Sequence, residues 1–66
     1  MTALLDVIEV ELSKPHRVRL MASGKTEETA EAVIRIAVMR RGVENHFFTT
    51  CPAGKYKDGD VMEKQP

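Results

Sequence analysis

The chain has little of the material with which small proteins reinforce a thin core. Its 66 residues include one cysteine, three aromatic residues and no tryptophan. A lone Cys51 excludes an internal disulfide, which small secreted domains commonly need. Without a second thiol there is no cysteine-based zinc site, and we expect neither a metal nor a cofactor. These features favour a cytoplasmic protein that supplements its core by self-association.

Long apolar runs and an excess of either charge are also missing. No hydrophobic stretch approaches the ~20 residues that span a bilayer, and the first residues lack the basic flank of a signal peptide. We therefore expect no membrane partner. Ten basic residues balance ten acidic ones, whereas nucleic-acid-binding modules usually carry a basic face. Hydrophobic residues still make up 42%, so we expect one small folded domain over residues 1–66.

Two alternating segments, residues 5–12 and 17–22, predict an N-terminal β-hairpin. One register, with Leu12 opposite His16, places apolar residues on one face and opposite charges on the other. Its pairs are Val10–Val18, Ile8–Leu20 and Asp6–Ala22 on the first face, and Glu11–Arg17, Glu9–Arg19 and Val7–Met21 on the second. A helix through residues 4–12 is the alternative, but the branched residues and matched charges favour strands.

Capping residues and charge order predict a helix after the hairpin. Thr26 or Ser23 can cap its start, and Gly42 suits its end. Acidic residues occupy the first turns and basic residues the last, which complements the helix dipole. The apolar stripe comprises Ala30, Val33, Ile34, Ala37 and Val38. A strand through residues 33–38 is the rival interpretation, because several of these side chains are β-branched.

Residues 46–51 have strand propensity and are followed by Pro52. We expect this third strand to lie beside the first and antiparallel to it. Residues 55–66 form either a short hairpin about Asp58-Gly59, flanked by Tyr56 and Val61, or a mobile tail. The predicted class is therefore α+β, as ββαβ or ββαββ, with a single-layer sheet. The helix is expected over the Ile8–Val10 face, leaving the other face bare.

Two candidate motifs fail on spacing. Gly24-Lys25-Thr26 resembles the end of a phosphate-binding loop, but Arg19 stands where that motif requires a glycine. His46 and Cys51 are five residues apart, so on a strand their side chains point to opposite faces. We therefore predict no catalytic residues.

The function expected from these observations is a non-enzymatic interaction or assembly module, forming a homodimer or binding another protein. The candidate partner-binding residues are Val7, Met21, Arg40, Arg41 and Phe48. The alternative is weak nucleic-acid binding through Arg40, Arg41 and Lys25. A small enzyme or enzyme subunit is the third possibility, although no nucleophile–base pair emerges from the sequence.

Overall fold

A computed structural model describes residues 3–62 of the chain. The chain forms, in order, the strands β1 (Leu5–Glu11) and β2 (Val18–Lys25), the helix α1 (Glu27–Arg41) and the strand β3 (His46–Pro52). The sheet has the strand order β2-β1-β3, and β1 is antiparallel to both neighbours. The predicted α+β class and the position of the third strand beside the first are confirmed. The helix of the described chain is neither long nor apolar enough to cross a membrane.

The hairpin has the predicted register over the half that lies nearest its loop. Val10 pairs with Val18, Ile8 with Leu20, and Glu9 with Arg19. Beyond Ile8 the prediction is wrong, because the ladder shifts and Val7 pairs with Ala22 instead of Met21. The shift accompanies a side-chain contact across the strands, in which the Gly24 N–H donates to Asp6 Oδ1 at 3.0 Å. Such a bulge re-aims the residues that follow it.

The helix begins and ends at the residues that its capping chemistry predicts. Thr26 is the N-cap, and its hydroxyl accepts a hydrogen bond from the Thr29 N–H at 3.3 Å. Gly42 follows the last turn with φ +74°, and its N–H donates to the Val38 carbonyl. Ala30 and Ala37 are its buried residues, so α1 meets the sheet through small side chains. Val38, predicted for the apolar stripe, remains 38% exposed.

The helix covers the face opposite to the one predicted. Arg41, at the end of α1, donates to the Glu9 carboxylate. Because β1 is the central strand, α1 must lie on the Glu9 side of the sheet. The Ile8 side instead holds a cluster of buried residues, with three further apolar side chains packed against it. The buried members are Ile8, Val10, Val18 and Cys51, and the packed side chains are Leu20, Tyr56 and Met62.

Residues 53–62, named here the C-terminal segment, cover the face that was expected under the helix. This segment leaves β3 at one edge of the sheet and reaches β2 at the other, where Val61 forms a bridge with Arg17. The predicted turn at Asp58-Gly59 is present, but Val61 pairs with Arg17 and not with Tyr56. Both faces of β1 are thus covered, and Asp6–Val10 are all buried. The part of the predicted tail beyond residue 62 lies outside the described residues.

Candidate interaction surface

The hairpin-loop end of the outer edge of β2 is closed by the C-terminal segment. The Val18 N–H donates to the Asp60 carbonyl at 2.7 Å, and the Gly59 N–H donates to the Val18 carbonyl at 2.8 Å. On either side, the Met62 N–H donates to the His16 carbonyl, and the Leu20 N–H donates to Asp58 Oδ1. The backbone groups that point away from β1 are therefore occupied from the His16 carbonyl to the Leu20 N–H, and another strand cannot pair over that stretch.

The outer edge of β3 is open over the described chain. Leu12 N–H donates to the Asn45 carbonyl, and Ala53 N–H donates to the Leu4 carbonyl. In the antiparallel ladder, alternate residues between these two points bond to β1 and the others face outward. The outward-facing residues are His46, Phe48, Thr50 and Pro52. Apart from a 3.5 Å contact from the Thr49 hydroxyl to the Thr50 carbonyl, residues 3–62 supply the first three with no outward backbone partner.

The composition of β3 does nothing to discourage pairing with another strand, except at one end. Asn45–Gly54 is the longest stretch of the chain without Asp, Glu, Lys or Arg. Charged side chains, lysine above all, are the usual protection of an edge strand. At the far end Pro52 has no N–H to offer, and its carbonyl already accepts from Lys55 N–H at 3.1 Å. The usable edge therefore runs from His46 to Thr50.

A charged cluster fixes the start of β3 against the helix. The Glu9 side chain is only 7% exposed, and Arg41 donates to its two oxygens at 3.2 and 3.3 Å. His46 Nε2 lies 3.3 Å from Glu9 Oε2 and 2.8 Å from the Gly42 carbonyl. The imidazole also meets the Phe48 ring edge-on, with the ring centroids 5.2 Å apart. Glu9 thus joins β1, α1 and β3 through one buried carboxylate.

An open groove of about 620 Å³ lies beside this cluster at the hairpin end of the sheet. Its charged lining residues include both signs and are Glu9, Glu11, Arg17, Arg19, Arg41 and Asp58. The cross-strand ion pair predicted for Glu11 and Arg17 is absent, and that prediction is wrong. Arg19 approaches Glu9 only to 3.9 Å and is 62% exposed. The matched charges of the groove favour neither an anionic nor a cationic ligand.

Asp6 ties the other end of β1 to two loops. Gly54 N–H donates to its Oδ2 at 2.9 Å, and Gly24 N–H donates to its Oδ1. The backbone hydrogen bond from Gly54, followed by that from Gly24, holds the pKa of the Asp6 carboxyl below its usual value. This carboxylate positions the end of β3 and the beginning of the C-terminal segment.

The groups with catalytic potential are kept apart. His46 and Cys51 lie on opposite faces of β3, as predicted, because they pair with Glu11 and Asp6 of β1. Burial raises the pKa of the Cys51 thiol, and the Asp6 carboxylate raises it further, so the thiol is a poor nucleophile. Among residues 3–62 no three His, Cys, Asp or Glu side chains are placed to hold a metal ion.

The five candidate partner-binding residues do not form one surface. Val7 is fully buried, so it contacts no partner in the folded chain, and Met21 is half-buried on β2. Arg40 is exposed at the end of α1, whereas Arg41 is engaged with Glu9. Phe48 is half-buried on the open strand. Phe48 and Arg41 are brought near each other through His46 and Glu9, and the remaining candidates are not part of that cluster.

The candidate partner-binding residues predicted from the sequence do not include the open backbone edge of β3, which is the candidate interaction surface. The signal that was available is the uncharged stretch Asn45–Gly54, which contrasts with the charged residues present in both β1 and β2. Which edge stays open depends on where the C-terminal segment crosses the sheet, and no local pattern encodes that path. Comparisons with protein-family models, curated proteins and solved structures gave no match.

Proposed function

We propose that this protein is a non-enzymatic self-association module that pairs through the open edge of β3. The observation that supports it is the asymmetry between the two edges of the sheet. Four hydrogen bonds from the C-terminal segment occupy the hairpin-loop end of the β2 edge, from His16 to Leu20, while β3 presents uncharged, outward-facing backbone from His46 to Thr50. Pairing at such an edge satisfies main-chain donors and acceptors with those of another strand.

Apolar side chains beside the edge add to this support. Phe47 lies on the Ile8 face of β3 and is 39% exposed. A strand docked on β3 would cover part of this ring, and aromatic pairs across strands contribute to sheet stability. A second copy is the partner best suited to the edge, because β3 opposite β3 brings no like charges together.

The test is sedimentation equilibrium of the full chain from micromolar to millimolar concentration, beside two variants. Thr50→Pro removes an outward N–H without removing a bond to β1, and Thr50→Val is its matched control. We expect dimers for the wild-type chain and Thr50→Val, and a folded monomer for Thr50→Pro. A wild-type monomer at every concentration would overturn the proposal, as would a folded Thr50→Pro dimer.

A charge substitution gives a second test that does not depend on proline. Phe47→Lys places an ammonium beside the edge, and Val43→Lys makes the same change at an exposed apolar residue outside the strand. We expect Phe47→Lys to weaken dimerisation and Val43→Lys to leave it unchanged. Equal effects of the two lysines would show that the interface lies elsewhere and would contradict the proposal.

The nucleic-acid alternative receives less support. Lys25 precedes α1 and Arg40 is the last residue but one of that 15-residue helix, so about 21 Å of helix separates them at about 1.5 Å per residue. Arg41 is committed to Glu9. The three basic residues named for that function therefore do not make one phosphate-binding patch.

A further inference from the structure

We infer that two copies pair through β3 about a two-fold axis that passes at Phe48, giving one continuous six-stranded antiparallel sheet. This inference rests on the proposed self-association and specifies its geometry. Across the axis Phe48 lies opposite Phe48 of the second copy, and His46 lies opposite Thr50. The strand order becomes β2-β1-β3-β3-β1-β2 across the two copies.

The register follows from which backbone groups are available. His46, Phe48 and Thr50 each offer an outward N–H and carbonyl. With the axis at Phe48 all three residues are used, which gives about six inter-strand hydrogen bonds. The long Thr49 hydroxyl contact to the Thr50 carbonyl leaves room for a second donor, because a carbonyl oxygen has two lone pairs.

The two neighbouring registers use fewer groups. With the axis at Thr49, His46 would face Pro52, which has no N–H and whose carbonyl accepts from Lys55. With the axis at Phe47, Thr50 would face Glu44, which lies in the loop before the strand. Each of these arrangements keeps only about four hydrogen bonds. The axis at Phe48 is therefore the register that β3 favours.

The cross-strand side-chain pairs that this register creates are also favourable. Phe48 of the two copies meet on the helix side of the sheet, where aromatic cross-strand pairs are favourable. Phe47 lies opposite Thr49 on the other side, and no charged residue lies within the paired stretch. Both outer edges of the combined sheet belong to β2, and the C-terminal segments close them at the hairpin-loop end, as far as Leu20.

Single cysteines report the register directly. In a Cys51→Ala background, Phe47→Cys, Phe48→Cys and Thr49→Cys each place one thiol on β3. Directly opposed residues have Cα atoms about 4.5–5.5 Å apart, within disulfide reach, whereas diagonal neighbours lie about 7–8 Å apart. Under mild oxidation we expect Phe48→Cys to form the covalent dimer at least about ten times faster than the other two.

The outcomes separate this inference from the function on which it rests. A wild-type chain that does not dimerise in sedimentation overturns both. A wild-type dimer in which Phe47→Cys or Thr49→Cys cross-links fastest, or in which none does, overturns the axis at Phe48 alone. Each cysteine variant is checked for dimerisation by sedimentation.

Where a substitution prevents dimerisation, the wild-type dimer gives a second readout. A sample mixed from isotope-labelled and unlabelled chains is expected to show a Hα–Hα nuclear Overhauser effect between Phe47 and Thr49 of different copies. These two residues are opposed without hydrogen bonds in this register, so their Cα atoms approach to about 4.5 Å. A Phe47–Phe47 or Thr49–Thr49 contact would contradict the axis at Phe48.

Discussion

The ion pair between Glu9 and Arg41 yields the most demanding stability prediction. A double-mutant cycle built from Glu9→Gln and Arg41→Gln isolates the free energy of coupling between the two side chains. Arg41 donates twice to a carboxylate that is 7% exposed, but its own side chain is 42% exposed. Hydrogen bonds to charged groups contribute about 1.5–3 kcal/mol. Solvent around Arg41 screens the pair, so we expect a coupling of about 1 kcal/mol.

Arg19 supplies the matched control for this cycle. It lies opposite Glu9 across the hairpin, yet its Nε is 3.9 Å from the carboxylate and its side chain is 62% exposed. The cycle of Glu9→Gln with Arg19→Gln should therefore give a coupling of about 0–0.5 kcal/mol. Urea denaturation at neutral pH measures all variants. If Arg19 coupled to Glu9 more strongly than Arg41 does, α1 would not be held on the Glu9 face and the fold described above would be refuted.

Three further predictions follow from local contacts. Gly42→Val should lower the free energy of unfolding by about 1–3 kcal/mol, because a branched residue is strained at the φ of +74° found there. The space around this Cα is open, so a steric clash does not contribute. An unchanged urea midpoint would contradict this, and Val43→Ala is the control. The lowered pKa of Asp6 means that its stabilising contribution is present above the usual carboxyl pKa and is lost as pH falls through the lower folded value. The free energy of unfolding of Asp6→Asn should therefore fall less with decreasing pH than that of the wild type. An equal fall in the two proteins would refute the role of Asp6. Ending the chain at Asp58 should open the hairpin-loop end of the β2 edge and produce assemblies larger than a dimer in light scattering, whereas removing only residues 63–66 should not. A truncated chain no larger than a dimer would argue against closure of this end by the C-terminal segment.

Local chemistry accounts for the parts of the fold that the sequence predicts. The hairpin register near the loop follows from Val10, Val18, Glu9 and Arg19, which are close in sequence and match in only one alignment. The helix bounds follow from Thr26 and Gly42 through capping rules. These features need no knowledge of the rest of the chain.

The features that sequence reasoning misses depend on distant contacts. Val7 and Ile8 are both fully buried, so β1 does not reveal which of its faces the helix covers. The choice is made by Arg41 reaching Glu9 and by Tyr56 and Met62 packing on the Ile8 side. The register shift beyond Ile8 likewise accompanies the contact of Asp6 with Gly24. The open edge of β3 is a consequence of these long-range choices.

Amide hydrogen exchange, resolved by residue and measured at several protein concentrations, tests the unequal edges most directly. At low concentration the N–H groups of Phe48 and Thr50 should exchange rapidly, while those of Phe47 and Thr49, which bond to β1, stay protected. Raising the concentration should protect Phe48 and Thr50, and Val18 should be protected throughout because it donates to Asp60. Rapid exchange of Phe48 and Thr50 at every concentration, or of Val18 at any, would contradict the account.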